Sequence, residues 1–118
     1  MSDALTDFFA AWAISDEAER NGLIDGALGA TILYADPRTE AELTTADAVK
    51  QYVGMFSQMA PGMPVAAVNI STTLSYARAT VHFGEGERSQ SGQYTADLDA
   101  DGKIIRLIGF VGMGAPEA

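Results

Sequence analysis

Cysteine is absent from this 118-residue chain. That excludes a disulfide framework, a thiol nucleophile and any thiolate metal site. Histidine occurs once, at His82, so no constellation that needs two imidazoles can form. Basic residues are scarce, with seven Lys and Arg against sixteen Asp and Glu, for a net charge of −9. That balance repels phosphate backbones and anionic lipid, so neither nucleic acid nor a membrane is expected as a partner. Long apolar runs are also missing. The longest early one, Phe8 to Ile14, falls far short of the roughly 20 residues that span a bilayer. The first basic residue is Arg20, so no positively charged leader is visible, and the expected location is cytoplasmic. No phosphate-cradling glycine motif occurs. Asp97-Leu98-Asp99-Ala100-Asp101-Gly102 imitates the start of a calcium loop, but the twelfth position is Ile108 where a bidentate Glu is needed. The run reads as a solvated hairpin turn. No metal and no cofactor is called for.

What is present is a globular composition, 47% hydrophobic and 19% charged, in a length that suits one domain over residues 1–118. Leu5, Phe8, Phe9 and Trp12 recur at helical spacing and predict a first helix over about residues 3–14. Asp16 with Glu19 three residues on predicts a capping box. The helix it opens has an apolar face of Leu23, Ile24, Ala27 and Leu28 and closes at Gly29. A short strand then runs through Thr31-Ile32-Leu33 into Tyr34-Ala35-Asp36-Pro37. Thr44, with Asp47 at its N3 position, predicts the start of a third helix. Its buried stripe is Val49, Tyr52, Val53 and Phe56, flanked by Met55 and Met59, and Pro61-Gly62 ends it.

From Pro64 the hydrophobic period changes from 3.6 to 2. Ala66, Val68, Ile70 and Leu74 share one parity of a long strand. Ala77, Ala79, Val81 and Phe83 share a face of the next, with Tyr76, Arg78, Thr80 and His82 opposite. Gly84-Glu85-Gly86-Glu87 is a turn. A third strand, about Ser89 to Leu98, alternates Gln90, Gly92, Tyr94, Ala96 and Leu98 against polar partners. Asp101-Gly102 turns into a last strand, Lys103 to Val111. The fold class is therefore α+β, with the helices segregated to one face of a mostly antiparallel sheet. The last strand is apolar on both parities, which predicts a covered outer face and a homodimer through the sheet.

Asp36 is the residue that invites a chemical reading. Pro37 biases it toward an extended backbone at the strand end, two residues beyond Tyr34 on the same face. It is either a cap for the loop at Arg38–Thr39 or the acid/base of a pocket. Tyr94, with Gly92 and Ala96 beside it, is either a pocket residue or a core tyrosine bonded to a backbone carbonyl. His82 falls on the outer face, as an interface or solvated histidine.

The element order resembles the nuclear transport factor 2-like superfamily, and within it the SnoaL-like proteins, relatives of polyketide cyclases and ketosteroid isomerase. Ala11-Trp12 with Asp16 and Arg20, Tyr34-Ala35-Asp36-Pro37, Pro61-Gly62 and Leu98 to Ile104 carry the resemblance over nearly the whole chain. It implies a cone-shaped α+β barrel, three N-terminal helices packed on a curved, mostly antiparallel sheet with an apolar pocket at its open end, and places Asp36 where the isomerase has its general base. The isomerase's first-helix tyrosine position looks like Phe8, which has no proton to donate, and its late-strand acid position falls on Tyr94. The Arg-x-Asp of the superfamily's epoxide hydrolases and the histidine pair of its dehydratases are missing.

The resulting expectation is a protein that binds a small hydrophobic molecule. Phe8, Trp12, Tyr34, Phe56, Val81 and Phe110 are the candidate ligand contacts, and Asp36 and Tyr94 the candidate catalytic pair. The chemistry would be isomerase- or cyclase-type proton transfer on a carbonyl compound. The alternative is a non-catalytic ligand-binding or dimerisation module.

Overall fold

The computed structural model describes residues 3–60, 62–84 and 90–112. Three helices come first, interrupted by one strand: α1 (Ala4–Ala11), α2 (Glu17–Ala27), β1 (Leu28–Ala35) and α3 (Ala46–Met59). Four strands follow, β2 (Val65–Thr73), β3 (Tyr76–Phe83), β4 (Gln90–Leu98) and β5 (Ile104–Val111). One five-stranded sheet in the order β1-β5-β4-β3-β2 holds them all. Only the β1–β5 pairing is parallel. The predicted α+β plan, helices against a curved and mostly antiparallel sheet, is the observed one.

Side-chain oxygens start each helix. Asp3 accepts from Thr6 N at 2.8 Å, Asp16 from Glu19 N at 2.8 Å, and Thr45 from Ala48 N at 3.1 Å. The third cap is therefore Thr45 and not Thr44, which lies one residue outside. The first helix ends at Ala11 rather than near residue 14. Its chain tightens there into three-residue turns, with Ala13 N on Ala10 O and Ile14 N on Ala11 O. Arg20, only 5% exposed, closes that corner by donating to the carbonyls of Ile14 and Ser15. Its guanidinium rests against Gly54 of α3, where an added Cβ would lie 3.1 Å from Nη2.

Two sequence expectations are corrected by close approaches and bulges. Gly29 does not cap α2, because Leu28 is already extended and β1 has begun. A Cβ at Gly29 would stand 2.7 Å from Ile105 Cγ2, so the glycine lets β1 close on β5. In β2 the single parity of Ala66, Val68, Ile70 and Leu74 breaks. Val68 faces Thr80 and Ser71 faces Arg78, three residues against two, with Asn69 at φ +52°. This bulge switches the faces: Val65 is buried and Ala66 exposed before it, while Ile70 packs on the core after it. Leu74 leaves the strand and sits in the β2–β3 turn, 92% exposed. Asp99 organises the β4–β5 hairpin by accepting from the backbone N–H of Asp101 and Lys103, each at 2.9 Å. Pro61 and the turn at Glu85–Glu87, together with Ser89, lie outside the described residues.

The core is built where the helices meet the sheet's inner face. Phe8 and Phe9 of α1, Ile24 of α2, Val49 and Val53 of α3 and Val81, Ile104 and Leu107 of the sheet are fully buried. Trp12, at the end of α1, is the hub of the aromatic part, with ring centroids 5.0 Å from Phe56, 5.6 Å from Phe83 and 5.9 Å from Tyr52.

Candidate functional site

A cavity of about 830 Å³ opens where the aromatic core meets the ends of β4 and β5. One wall is α3 and the chain just after it, through Tyr52, Met55, Phe56, Met59, Ala60 and Met63. Trp12, Phe83 and Tyr94 continue the lining, with Trp12 and Phe83 against the rings of α3, and Asp36, Pro37 and Arg38 come in from the end of β1. Gln90, Ser91, Gly92, Phe110, Val111 and Gly112 border the mouth. Among the described residues the lining is mostly apolar, with one carboxylate and two phenols, as small-molecule sites generally are.

Asp36 reaches this place because β1 delivers it there. Tyr34, the residue two earlier, pairs with Leu107 of β5 on one side and exchanges both backbone bonds with Leu43 on the other, each at 2.8 Å. The strand end is thus held from both edges. The chain turns at Asp36, whose Oδ1 accepts from Arg38 N at 2.8 Å and Thr39 N at 3.1 Å. Thr39 Oγ1 in turn accepts from Asp36 N. The loop cap expected as one alternative is present, and the same carboxylate borders the cavity. Its two oxygens divide the work.

Three tyrosines surround that carboxylate. Tyr34 donates to Oδ2 at 2.6 Å, and Tyr52 donates to both oxygens, at 2.7 and 2.8 Å. Tyr34 and Tyr52 thus hold the carboxylate directly, and the Tyr94 phenol lies within reach of its charge. Burial holds the Tyr34 phenol far above its ordinary ionisation range, with the fields of Tyr94 and Asp36 adding. Tyr52 is raised by burial first, then by its bond to Asp36 and that group's charge. Tyr94 is raised by burial and then by Asp36, while Tyr34 and Arg38 pull the other way. None of the three can serve as a phenolate near neutrality. All remain hydroxyls.

The candidate residues divide cleanly by position. Asp36, Tyr94, Trp12 and Phe56 border the cavity, and Phe110 borders its mouth. Phe110 pairs with Gln93, one place from the inward Tyr94–Gly109 pair, so alternation puts its ring on the sheet's outer face, 56% exposed. Phe8, Tyr34 and Val81 are a correction. Each has no exposed surface and lies behind the wall, because the helices and sheet close tightly at that depth. Tyr34 reaches the site only through its hydroxyl. His82 lies on the outer face as expected, its Nδ1 2.7 Å from Ser91 Oγ.

Tyr52 was hidden in the buried stripe of α3, yet it is the side chain that touches both oxygens of Asp36. One signal was available. A tyrosine among Val49, Val53 and Phe56 carries a hydroxyl that needs an acceptor, and a lone aspartate after a strand is a natural one. Arg38 was also missed; exposed at the mouth, its Nη2 bonds Gln90 Oε1 at 3.2 Å.

Neither a protein-family model nor a curated protein sequence matches the chain. Solved structures do. A candidate isomerase of the SnoaL-like family from Agrobacterium tumefaciens superposes with a TM-score of 0.80 at 18% identity, covering 93% of this chain and 95% of that one. An uncharacterised protein from Exiguobacterium sp. 255-15, itself nuclear transport factor 2-like, gives 0.68 at 25% identity over 95% and 99%. The chain has the nuclear transport factor 2-like fold. A protein from Catenulispora acidiphila with a ketosteroid isomerase-like fold, solved in complex with trimethylamine, gives 0.74 at 11% identity over 96% and 88%. Within the nuclear transport factor 2-like fold of this chain, no helix of the described residues is long and apolar enough to cross a membrane.

Proposed function

We propose that this protein binds a small hydrophobic molecule in the cavity between α3 and the sheet, with Asp36 as the polar anchor. The observation that carries this reading is the combination of about 830 Å³ of space, aromatic and methionine walls, and one carboxylate at its edge. A packed interior leaves few voids larger than a water molecule, so a cavity of this size fits an occupant better than a core role. Met55, Met59 and Met63 supply adaptable walls for ligands of varied outline. That another protein of this fold is seen with trimethylamine supports a small-molecule occupant.

The neutral apolar dye N-phenyl-1-naphthylamine tests the reading. It should bind saturably at one site per chain, and Ala60→Trp, which places an indole in the cavity, should abolish the signal while circular dichroism stays unchanged. Dye fluorescence that never saturates in the parent protein would reject the proposal.

A second reading is general-base chemistry on a carbonyl compound, favoured by the carboxylate bordering the cavity and by the half-buried Tyr52, the donor that can turn away. Asp36 has four donors on it, so taking a substrate proton requires one of them to leave. Tyr94, on the cavity wall, would donate its hydroxyl proton to the substrate oxygen. On this reading Asp36→Asn abolishes turnover and leaves ligand binding intact; turnover equal to the parent's would sink it. The assembly proposed with either reading is a homodimer through the outer face of the sheet.

A further inference from the structure

The direction of the hydroxyl protons on Asp36 can be counted. A phenol has one proton to donate and two lone pairs, while a carboxylate only accepts. Tyr52 places its proton on Asp36, where both oxygens lie within 2.8 Å. Tyr34 places its proton on Asp36 Oδ2 at 2.6 Å. Both protons therefore run toward the carboxylate. What Asp36 and Tyr52 turn to the cavity is lone pairs and negative charge.

Donors elsewhere on the lining, such as the Tyr94 hydroxyl and the Gln90 amide, leave Asp36 and the Tyr52 oxygen as acceptors. The indole N–H of Trp12 has no partner among the described residues, but it is itself sealed from the cavity space, with almost no accessible surface. Among the described residues, Arg38 carries the one charged donor on the lining. It is exposed at the mouth and engaged with Gln90, where water screens it. The remaining walls near Asp36 are the rings of Trp12, Tyr52, Phe56, Phe83 and Tyr94, whose faces attract cations.

We infer that the cavity takes an organic ammonium: an apolar body carrying a protonated amine whose N–H groups are donated to Asp36 and the Tyr52 oxygen. A ketone brings a further acceptor to Asp36 and Tyr52, which already accept. A carboxylate brings like charge. An ammonium supplies the missing donors, satisfies the carboxylate and lies among aromatic rings. The inference rests on the cavity being a ligand site and adds the chemical class of the ligand.

Four adamantane derivatives of nearly equal bulk form the test: 1-adamantylamine, 1-adamantanol, 2-adamantanone and 1-adamantanecarboxylate. The emission of Trp12, the chain's only tryptophan, reports binding from the cavity wall. The amine should bind at least ten-fold more tightly than the alcohol, and the ketone and carboxylate more weakly than both. Asp36→Asn should abolish the preference for amine over alcohol without removing alcohol binding. Because Asp36 also caps a loop, Tyr52→Phe serves as the second variant; it removes one acceptor and should narrow the amine preference several-fold. Amine binding no tighter than that of the alcohol or ketone, or a preference unchanged in both variants, overturns the inference and leaves the cavity reading standing. If none of the four compounds binds, the cavity reading falls, and this inference with it.

Discussion

The ring of Tyr94 occupies space that exists because Gly109 has no side chain. A Cβ at that position would stand 2.4 Å from Cε2 and 2.7 Å from Cζ of the ring, and one at Gly92 would stand 3.3 Å from Cε1. The two glycines, on the neighbouring strand and on Tyr94's own, form a slot that holds the ring. Gly109→Ala should therefore push the ring out and cost about 1–3 kcal/mol of stability, as overpacked cores do. A spectrophotometric titration at 295 nm checks this. An ordinary phenol ionises near pH 10. Freed of burial and of the nearby Asp36 charge, Tyr94 should move back toward that value, so the variant gains one phenol titrating there. A profile identical to the parent's would show that the slot does not hold the ring. The sign for stability follows from the same shifts. The fold keeps Tyr34, Tyr52 and Tyr94 protonated where the unfolded chain ionises them, so their contribution is complete below about pH 10 and is lost as pH rises above it.

At the scale of elements, periodicity carried most of the information. The helical stripe of Leu5, Phe8, Phe9 and Trp12 and the alternation of Ala77, Ala79 and Val81 both appear as buried faces. Alternation failed at β2, because one bulge residue reverses every face beyond it and nothing in the hydrophobic pattern marks where the extra residue enters. Asn69 was a faint marker, since asparagine tolerates the left-handed region better than most residues. Asp36 was legible as a fixed carboxylate, but its partners were not. Tyr52 lies sixteen residues away on another element, and a contact across that separation leaves no local period. The β2–β3 turn gives a direct test of backbone strain. Its two-residue loop has positive φ at Leu74 only, as in a type II′ turn where glycine is favoured, and the leucine there is almost wholly exposed. A left-handed non-glycine residue costs roughly 1–2 kcal/mol, partly offset by glycine's greater freedom in the unfolded chain. Leu74→Gly should raise the urea midpoint with an unchanged slope, by a gain of about 1 kcal/mol. A lower midpoint would mean that the exposed leucine packs on something.

For the whole molecule, charge decides which surface can meet a second copy. The chain carries −9, so most pairs of faces repel. The outer face of the sheet is different. The outward positions of β3, β4 and β5 hold Arg78, Asp97 and Arg106 as their only charged side chains, with Asp97 3.8 Å from Arg106. Around them lie Thr80, His82, Gln93, Ile108 and Phe110, a mixed surface in which Phe110 and Tyr76 are large, apolar and more than half exposed. Two copies related by a twofold axis would bury those rings without bringing acidic patches together. Sedimentation equilibrium at micromolar concentration should give twice the 12.4 kDa of one chain. Phe110→Glu puts a new negative charge in the middle of the proposed contact and should shift the equilibrium to monomer by a factor of ten or more. High salt should not dissociate the parent dimer, because its contact is apolar at the centre and near neutral in charge. A parent protein that sediments as a monomer would remove the sheet as an assembly surface. A Phe110→Glu variant that stays dimeric would place the contact elsewhere on the molecule.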